Sequence, residues 1–204
     1  MKIITISREF GSGGRELGKR LADVLGFDYY DGEIISAVAE KMKEDAGYVE
    51  TALGGHGWRN YPVTFRGSIG SSAYVQASRL EELLKQKKVL GKIAELGKDC
   101  VIVGRNADVL LRQYGPFKIF VCADMDAKLK RCAERASEGE DVSEKELKRR
   151  IRQIDKMRAD TCELLSNSQW GQRDAYNITL NTSGWDIKKL ALATAELCRA
   201  YFEK

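Results

Sequence analysis

Histidine occurs once in this chain of 204 residues, at His56. Metal sites built from several imidazoles are therefore excluded, and a Ser-His-Asp triad would rest on one residue in a glycine-rich segment. Proline occurs twice, at Pro62 and Pro116, and no internal repeat or low-complexity tract marks a linker, so one domain spanning residues 1–204 is expected. The five cysteines (Cys100, Cys122, Cys132, Cys162 and Cys198) are scattered, with no C-x-x-C pair and no neighbouring histidine, and they read as reduced core thiols. No apolar run approaches the length of about 18 residues that a membrane helix needs, and the opening MKIITISREF turns charged too soon for a signal segment. A cytoplasmic protein without a membrane partner is expected. The net charge of +4, in a chain with 31% charged residues, does not point to nucleic acid.

What the chain does have is a repeated pattern of apolar strands and amphipathic helices. Strand-like runs fall at residues 3–7, 27–30, 100–103, 118–123 and 176–180. The first, third and fourth are nearly continuously apolar, as strands buried on both faces are. Between them Leu17, Leu21, Val24 and Leu25 form a helical stripe ending at Gly26, and Ile34, Ile35, Val38, Ala39 and Met42 form a second. Leu80, Leu83 and Leu84, then Ile93 and Leu96, suggest two more helices, and Leu129, Cys132, Ala133 and Ala136 another. Ser143 and Glu146 have capping-box spacing before Leu147, Ile151 and Ile154. The last helix carries Ile187, Leu190, Ala191, Thr194, Leu197, Cys198 and Tyr201. The order β-α-β-α-α-β-α-β-α-α-β-α predicts a mostly parallel sheet covered on both faces, an α/β fold. The glycine- and aromatic-rich residues 47–72 read as a substrate-side insertion.

The stretch TISREFGSGGRELGKRLA, residues 5–22, joins the first strand to the first helix. Gly11, Gly13 and Gly14 allow backbone amides to converge at a helix N-terminus, where phosphate binds through N–H groups and the helix dipole. The pattern G-x-x-x-x-G-K-[ST] is not met, because Gly14 stands at the lysine position and Arg15 at the hydroxyl position. Arg8, Arg15 and Lys19 are the nearby cations able to replace the lysine, and Ser12 or Ser7 can supply a hydroxyl. Arg15 ranks first, since a cation in a helix's first turn is unfavourable unless an anion answers it. Two other readings stay open: a tight turn packing strand on helix without ligand, and a dinucleotide fingerprint of Gly11, Gly13 and Asp31 whose third glycine, Gly18, falls late.

Gly104-Arg105 lies at the carboxyl end of a buried strand, the edge where open α/β sheets bind ligands. Asn106 or Asp108 can hold a ribose hydroxyl or a metal-bound water, or can cap the next helix. Residues 145–158 hold seven basic residues against Glu146 and Asp155. Lys145, Arg149, Arg152 and Lys156 cluster opposite the apolar stripe, whereas Arg158 falls at its centre, either paired with a carboxylate or poised over phosphate. Arg131 and Arg135 count to the solvent side of their helix and can reach a ligand if that helix borders the site.

SREFGSGGRELGKRLA, FDYYD, VIVGRNADVLL, IDKMRAD and WGQRDAYNITLNTS, in that order, resemble the cytidylate-kinase-like branch of the P-loop nucleoside monophosphate kinases. The resemblance implies a P-loop kinase-like three-layer α/β/α fold with a five-stranded parallel sheet, a helical acceptor-side insertion at about residues 32–97 and a lid at about 137–173. It implies an ATP- and Mg2+-dependent phosphotransferase acting on a nucleoside monophosphate such as CMP, or on another small acceptor, with no protein metal ligand assigned. On it Arg8, Gly11, Ser12, Gly13, Gly14, Arg15 and Glu16 surround the donor phosphates. Asp31, Arg105, Asn106 and Asp108 border the acceptor, Asn106 standing where cytidylate kinases have aspartate. Arg15, Arg149, Arg152 and Arg158 neutralise the transferring group. The alternatives are a catalytically silent nucleotide-binding protein of the same fold and an NAD(P)-binding oxidoreductase.

Overall fold

The computed structural model describes residues 1–41, 79–135, 143–166 and 168–203. The insertion read at residues 47–72, with His56, and the stripe positions Met42 and Ala136 lie outside the described residues. Part of the expected lid also lies outside them.

All five strand-like runs become strands, and the three nearly continuously apolar ones are largely buried. The five are β1 (Ile3–Arg8), β2 (Asp28–Asp31), β3 (Cys100–Val103), β4 (Phe117–Cys122) and β5 (Ile178–Asn181), within one or two residues of the expected starts and ends. All pair in parallel, in the order β2-β3-β1-β4-β5. Because β3 lies between β1 and β2, the sheet does not have the order in which the second strand adjoins the first, and the dinucleotide-fold reading falls. From β1 the chain crosses to one side of the sheet and from β4 to the other. The crevice outside the carboxyl ends of these two neighbours is therefore the topological switch point.

The helices are α1 (Gly14–Leu25), α2 (Gly32–Lys41), α3 (Arg79–Glu95), α4 (Ala107–Leu110), α5 (Met125–Glu134), α6 (Glu144–Leu165) and α7 (Ile187–Phe202). Ile4, Ile6 and their in-register neighbours face α1 and α7. Gly18 of α1 lies so close to the sheet that a Cβ there would stand 2.4 Å from Val103 Cγ2. On the opposite face Phe120 packs against Trp170 and Tyr176. The two helices expected between Leu80 and Leu96 are one, α3, because buried Gln86, Val89 and Leu90 carry the stripe from Leu83 to Ile93 without a break. Leu197, placed on the buried stripe of the last helix, is 51% exposed, since Leu190, Ala191, Thr194, Ala195 and Cys198 already fill that face.

Gly26 ends α1 in the left-handed conformation and Ser143 Oγ accepts the Glu146 N–H at the start of α6, as the spacing predicts. A small second core joins Phe10, just after β1, to Cys132 of α5 and to Leu147 and Ile151 of α6. This cluster anchors the two helices against the loop that follows β1.

Candidate phosphate-binding site

The glycine loop runs from Glu9 to Gly13, between β1 and α1. Gly11 and Gly13 adopt φ of 74° and 80°, a region costly for residues with a Cβ. Among the described residues, the amides of Gly11, Gly13 and Gly14 donate no hydrogen bond within the chain. The outer side of the loop is held firmly instead. Phe10 N–H donates to Asp155 Oδ1 at 2.6 Å, and Arg158 Nη1 donates to the Arg8 carbonyl at 2.9 Å. Thr182 Oγ1 donates to the Ser12 carbonyl at 2.6 Å and is itself gripped by Arg131. Lys128 of α5, 7% exposed, places Nζ 2.8 Å from Glu9 and 3.3 Å from Asp155. Glu9 also accepts the Ala123 N–H, tying the loop to the end of β4. The Ser12 hydroxyl donates to the Glu9 carbonyl at 2.8 Å and is taken up inside the loop.

Arg15 is answered by anions of its own chain. Its Nε donates to Asp31 at 2.7 Å, and its two terminal nitrogens donate to both oxygens of Glu33 at 2.7 and 2.6 Å. Burial disfavours the charge, but the hydrogen bond to Glu33 and the charges of Asp31 and Glu33 outweigh it and raise the arginine pKa. Asp31, 2% exposed, also accepts the Glu33 and Ile34 amides at the start of α2 and the Tyr29 hydroxyl. Glu16 pairs with Arg20 and Arg135. Arg131 and Arg135, counted to the solvent side, thus reach back to the strand end and to α1, because α5 lies alongside the loop.

Gly104, Arg105 and Asn106 are three successive left-handed residues, at φ 78°, 57° and 51°. Two non-glycine residues in that region are strain of the kind that collects at ligand sites. Arg105 Nη2 bridges the Gly32 carbonyl and Ser36 Oγ at 3.0 and 2.9 Å, spanning the mouth between β3 and α2. Asn106 precedes α4 without a side-chain capping bond. Asp108 is buried, and burial raises its carboxyl pKa against the opposing pull of its own backbone amide, Ser7 and Lys118. Its neighbours Ser7 and Tyr176 put it on the sheet face away from α1.

Arg105 and Arg158 stand close enough to Arg8 for it to feel their charge. Burial first, then Arg158 and Arg105, push the Arg8 pKa down to about 9, which leaves the guanidinium charged at neutral pH. Arg158, 26% exposed, lies 3.6 Å from Asp155 and 5.8 Å from the Phe10 ring centre. Of the two sequence alternatives, the carboxylate partner is present in Asp155, and the Arg158 guanidinium also holds the Arg8 carbonyl at the start of the loop. Arg149 is 66% exposed and paired with Glu146. It is about two and a half turns from Arg158 along α6 and leaves the opposite side of the helix. With Arg152 it borders a separate groove along the first turns of α6.

The sequence reading missed Lys128, Glu9, Asp155 and Thr182. A signal for Lys128 existed: it sits four residues before Cys132, on the buried face of its helix, as Arg158 does on α6. Among the described residues, no group of three or more His, Cys, Asp or Glu side chains is arranged to hold a metal, and no helix is long and apolar enough to cross a membrane. All five cysteines are free, and burial raises each thiol's pKa.

Residues 3–184 match the model of the cytidylate kinase-like family. Among solved structures, an uncharacterized protein from Eubacterium ventriosum superposes with a TM-score of 0.72 at 25% identity, over 98% of this chain and 99% of its own. A shikimate kinase from Bacteroides thetaiotaomicron gives 0.57 at 16% identity, over 97% and 98%. A shikimate kinase from Acinetobacter baumannii in complex with shikimate gives 0.54 at 13%, over 100% and 96%. These last two likenesses carry the fold, a P-loop kinase-like sheet, and no more. Comparison with curated protein sequences finds no match.

Proposed function

The chain belongs to the cytidylate kinase-like family, and from that premise we propose that it is a phosphotransferase moving the γ-phosphoryl group of ATP to a nucleoside monophosphate, CMP in the simplest case, or to another small acceptor. The observation that carries this reading is the glycine loop, whose Gly11, Gly13 and Gly14 amides make no bond among the described residues while its outer side is fixed by contacts from α5, α6 and the ends of β4 and β5. Such a cradle is pre-organised for phosphate oxygens and sits at the sheet edge where ligands bind.

Phosphoryl transfer asks a protein mainly for position and charge, not covalent chemistry. The loop amides, with Ser12 and the first turn at Arg15 and Glu16, hold the donor phosphates through backbone. Arg105, braced on Gly32 and Ser36, faces the acceptor side with Asn106. Asp31 orients that side by fixing Arg15 and the start of α2, while Asp108 supports α4. Arg158, held by Asp155 and the Arg8 carbonyl, brings a cation to the loop. The segment at about 32–97, through its described helices α2 and α3, is the acceptor side, and that at about 137–173 is a lid that carries Arg149 and Arg152. Magnesium bound with ATP would supply charge neutralisation at the transferring phosphoryl group, and no protein ligand for it is assigned among the described residues.

One observation favours a second reading, a silent nucleotide-binding protein. Glycine stands where the loop lysine belongs, and the Ser12 hydroxyl is taken up by Glu9. A coupled ATPase assay across nucleoside monophosphates and small alcohol acceptors separates the two. Turnover with at least one acceptor is expected. Tight ATP binding without turnover on any of them leaves the silent protein.

A further inference from the structure

We infer that Arg8, the last residue of β1, carries the charge that the loop lacks at Gly14, its side chain lying across Gly14 and Gly104. The inference rests on the phosphate-site reading and names the residue that makes this variant loop work.

Steric fit places the side chain. A Cβ on Gly14 would stand 2.7 Å from Arg8 Cβ and 3.1 Å from Arg8 Cγ. The arginine stem thus fills the volume in which a lysine at position 14 would begin. At the far end, a Cβ on Gly104 would fall 1.7 Å from Arg8 Nη1. The guanidinium therefore rests on the turn that follows β3, beside Arg105. In effect the cation has moved from the first residue of α1 to the end of the neighbouring strand, and its head has shifted toward the acceptor side of the cleft.

Elimination identifies the role. The other cations around the loop are already engaged: Arg15 by Asp31 and Glu33, Lys19 by Asp23, Lys128 by Glu9 and Asp155, Arg131 by Thr182, and Arg105 by the Gly32 carbonyl and Ser36. Arg158 stands near Asp155. The Arg8 guanidinium, among the described residues, donates no hydrogen bond and pairs with no carboxylate. Its closest charged company is Arg158 and Arg105, which repel it, with only partial relief from Asp31 and Tyr29. A part-buried guanidinium with unused donors, set among like charges, is a ready partner for an anion. A phosphoryl group carrying two or more charges, placed between the glycine loop and Arg105, supplies that anion, and the planar fork suits its oxygens.

The test uses calorimetry with two probes, ATP and inorganic tripolyphosphate, together with turnover on the best acceptor. Arg8→Ala is expected to weaken tripolyphosphate binding and to lower turnover by roughly 10²-fold, with Arg8→Lys retaining part of both. Gly14→Lys alone is expected to impair binding, because the new side chain meets Arg8. The double variant Arg8→Gly with Gly14→Lys returns the cation to the helix and is expected to bind at least about tenfold better than either single variant, a non-additive rescue. The rescue also decides the matter if Arg8→Ala fails to fold. Wild-type affinity in a folded Arg8→Ala, or a folded double variant no better than its parents, overturns the role of Arg8 and leaves phosphotransfer standing. A wild type that binds tripolyphosphate through Arg8 but turns over no acceptor does the reverse. A wild type that binds neither probe overturns both.

Discussion

The two halves of α6 are both charged and use their charge in opposite ways. In the first half Glu144 pairs with Lys148, and Glu146 with Arg149 and Arg150, all within one or two turns and open to water. In the second half Asp155 and Arg158 turn inward and bind backbone groups of the glycine loop, about 145 to 150 residues away in sequence. The helix is continuous and one apolar stripe serves both halves. What separates them is whether a charge sits on that stripe or opposite it. A charge opposite the stripe costs nothing to solvate, whereas one on it must find a partner across the interface. Position relative to the stripe, not the number of charges, thus marks the functional half.

The largest expected effect comes from breaking the inward set at its hub. Lys128→Met leaves Glu9 and Asp155 without their shared cation beside the Phe10 amide. Removing one partner from a largely buried ion set costs about 3–5 kcal/mol. A urea titration should show a loss of that order, and a loss below about 1 kcal/mol would show that the loop does not depend on this staple. Removing Lys148 from the outward half, by the same measure, should change almost nothing, since exposed pairs of this kind contribute at most about 0.5 kcal/mol.

A smaller effect on stability but a sharp one on rate distinguishes the two arginines. Arg158→Ala should lower kcat by roughly 10²–10³, the usual cost of one charge-assisted donor at the transition state. Arg149→Ala should lower it by less than about tenfold if the helix stays as it is, because Arg149 leaves the side of the helix opposite Arg158. Equal losses in steady-state kinetics would mean that α6 rotates or closes during the reaction, so that both halves serve as lid.

Much of this comparison can be read from the chain alone. Helical counting put Lys145, Arg149, Arg152 and Lys156 outside and Arg158 on the stripe, and all four of the former are exposed. The strands, the Gly26 stop and the Ser143 start were equally legible, because continuous apolar runs and capping residues are local signals. The partners were not. Arg15 was ranked as the cation for phosphate, yet Asp31 and Glu33 answer it from the end of the next strand. Lys128 with Glu9, and Thr182 with Ser12, join segments whose separation follows from the sheet order, and no periodicity carries that information. The steric bond between Arg8 and two glycines is of the same kind. Gly14 appears in sequence as a missing lysine, and only the packing shows what fills the space.

The smallest effect is also the one that tests the comparison most directly, because it asks two carboxylates of one helix to titrate in reverse order. At Glu146 the hydrogen bonds from Arg149 and then Arg150 hold the carboxyl down to about 2, from an ordinary 4.5. A lowered carboxylate stabilises the fold above its ordinary pKa, and that contribution is lost as pH falls from 4.5 toward 2. At Asp155 burial raises the pKa above the ordinary 3.8, against the pull of the Phe10 amide, Arg158 and Lys128. There the folded state takes up a proton more readily than the unfolded chain, so the contribution is present below 3.8 and is lost as pH rises through the folded value. Carboxyl chemical shifts followed by NMR should therefore place Asp155 above Glu146, the inverse of their order in free peptides. Glu146→Gln should move the acid limb of unfolding only slightly, and less still in high salt, because its pairs are solvated. Asp155→Asn should remove a slope of the opposite sign while keeping an oxygen for the Phe10 amide. If the two midpoints coincide, the halves of α6 share one environment, and the inward set does not hold the loop in the way its distances indicate.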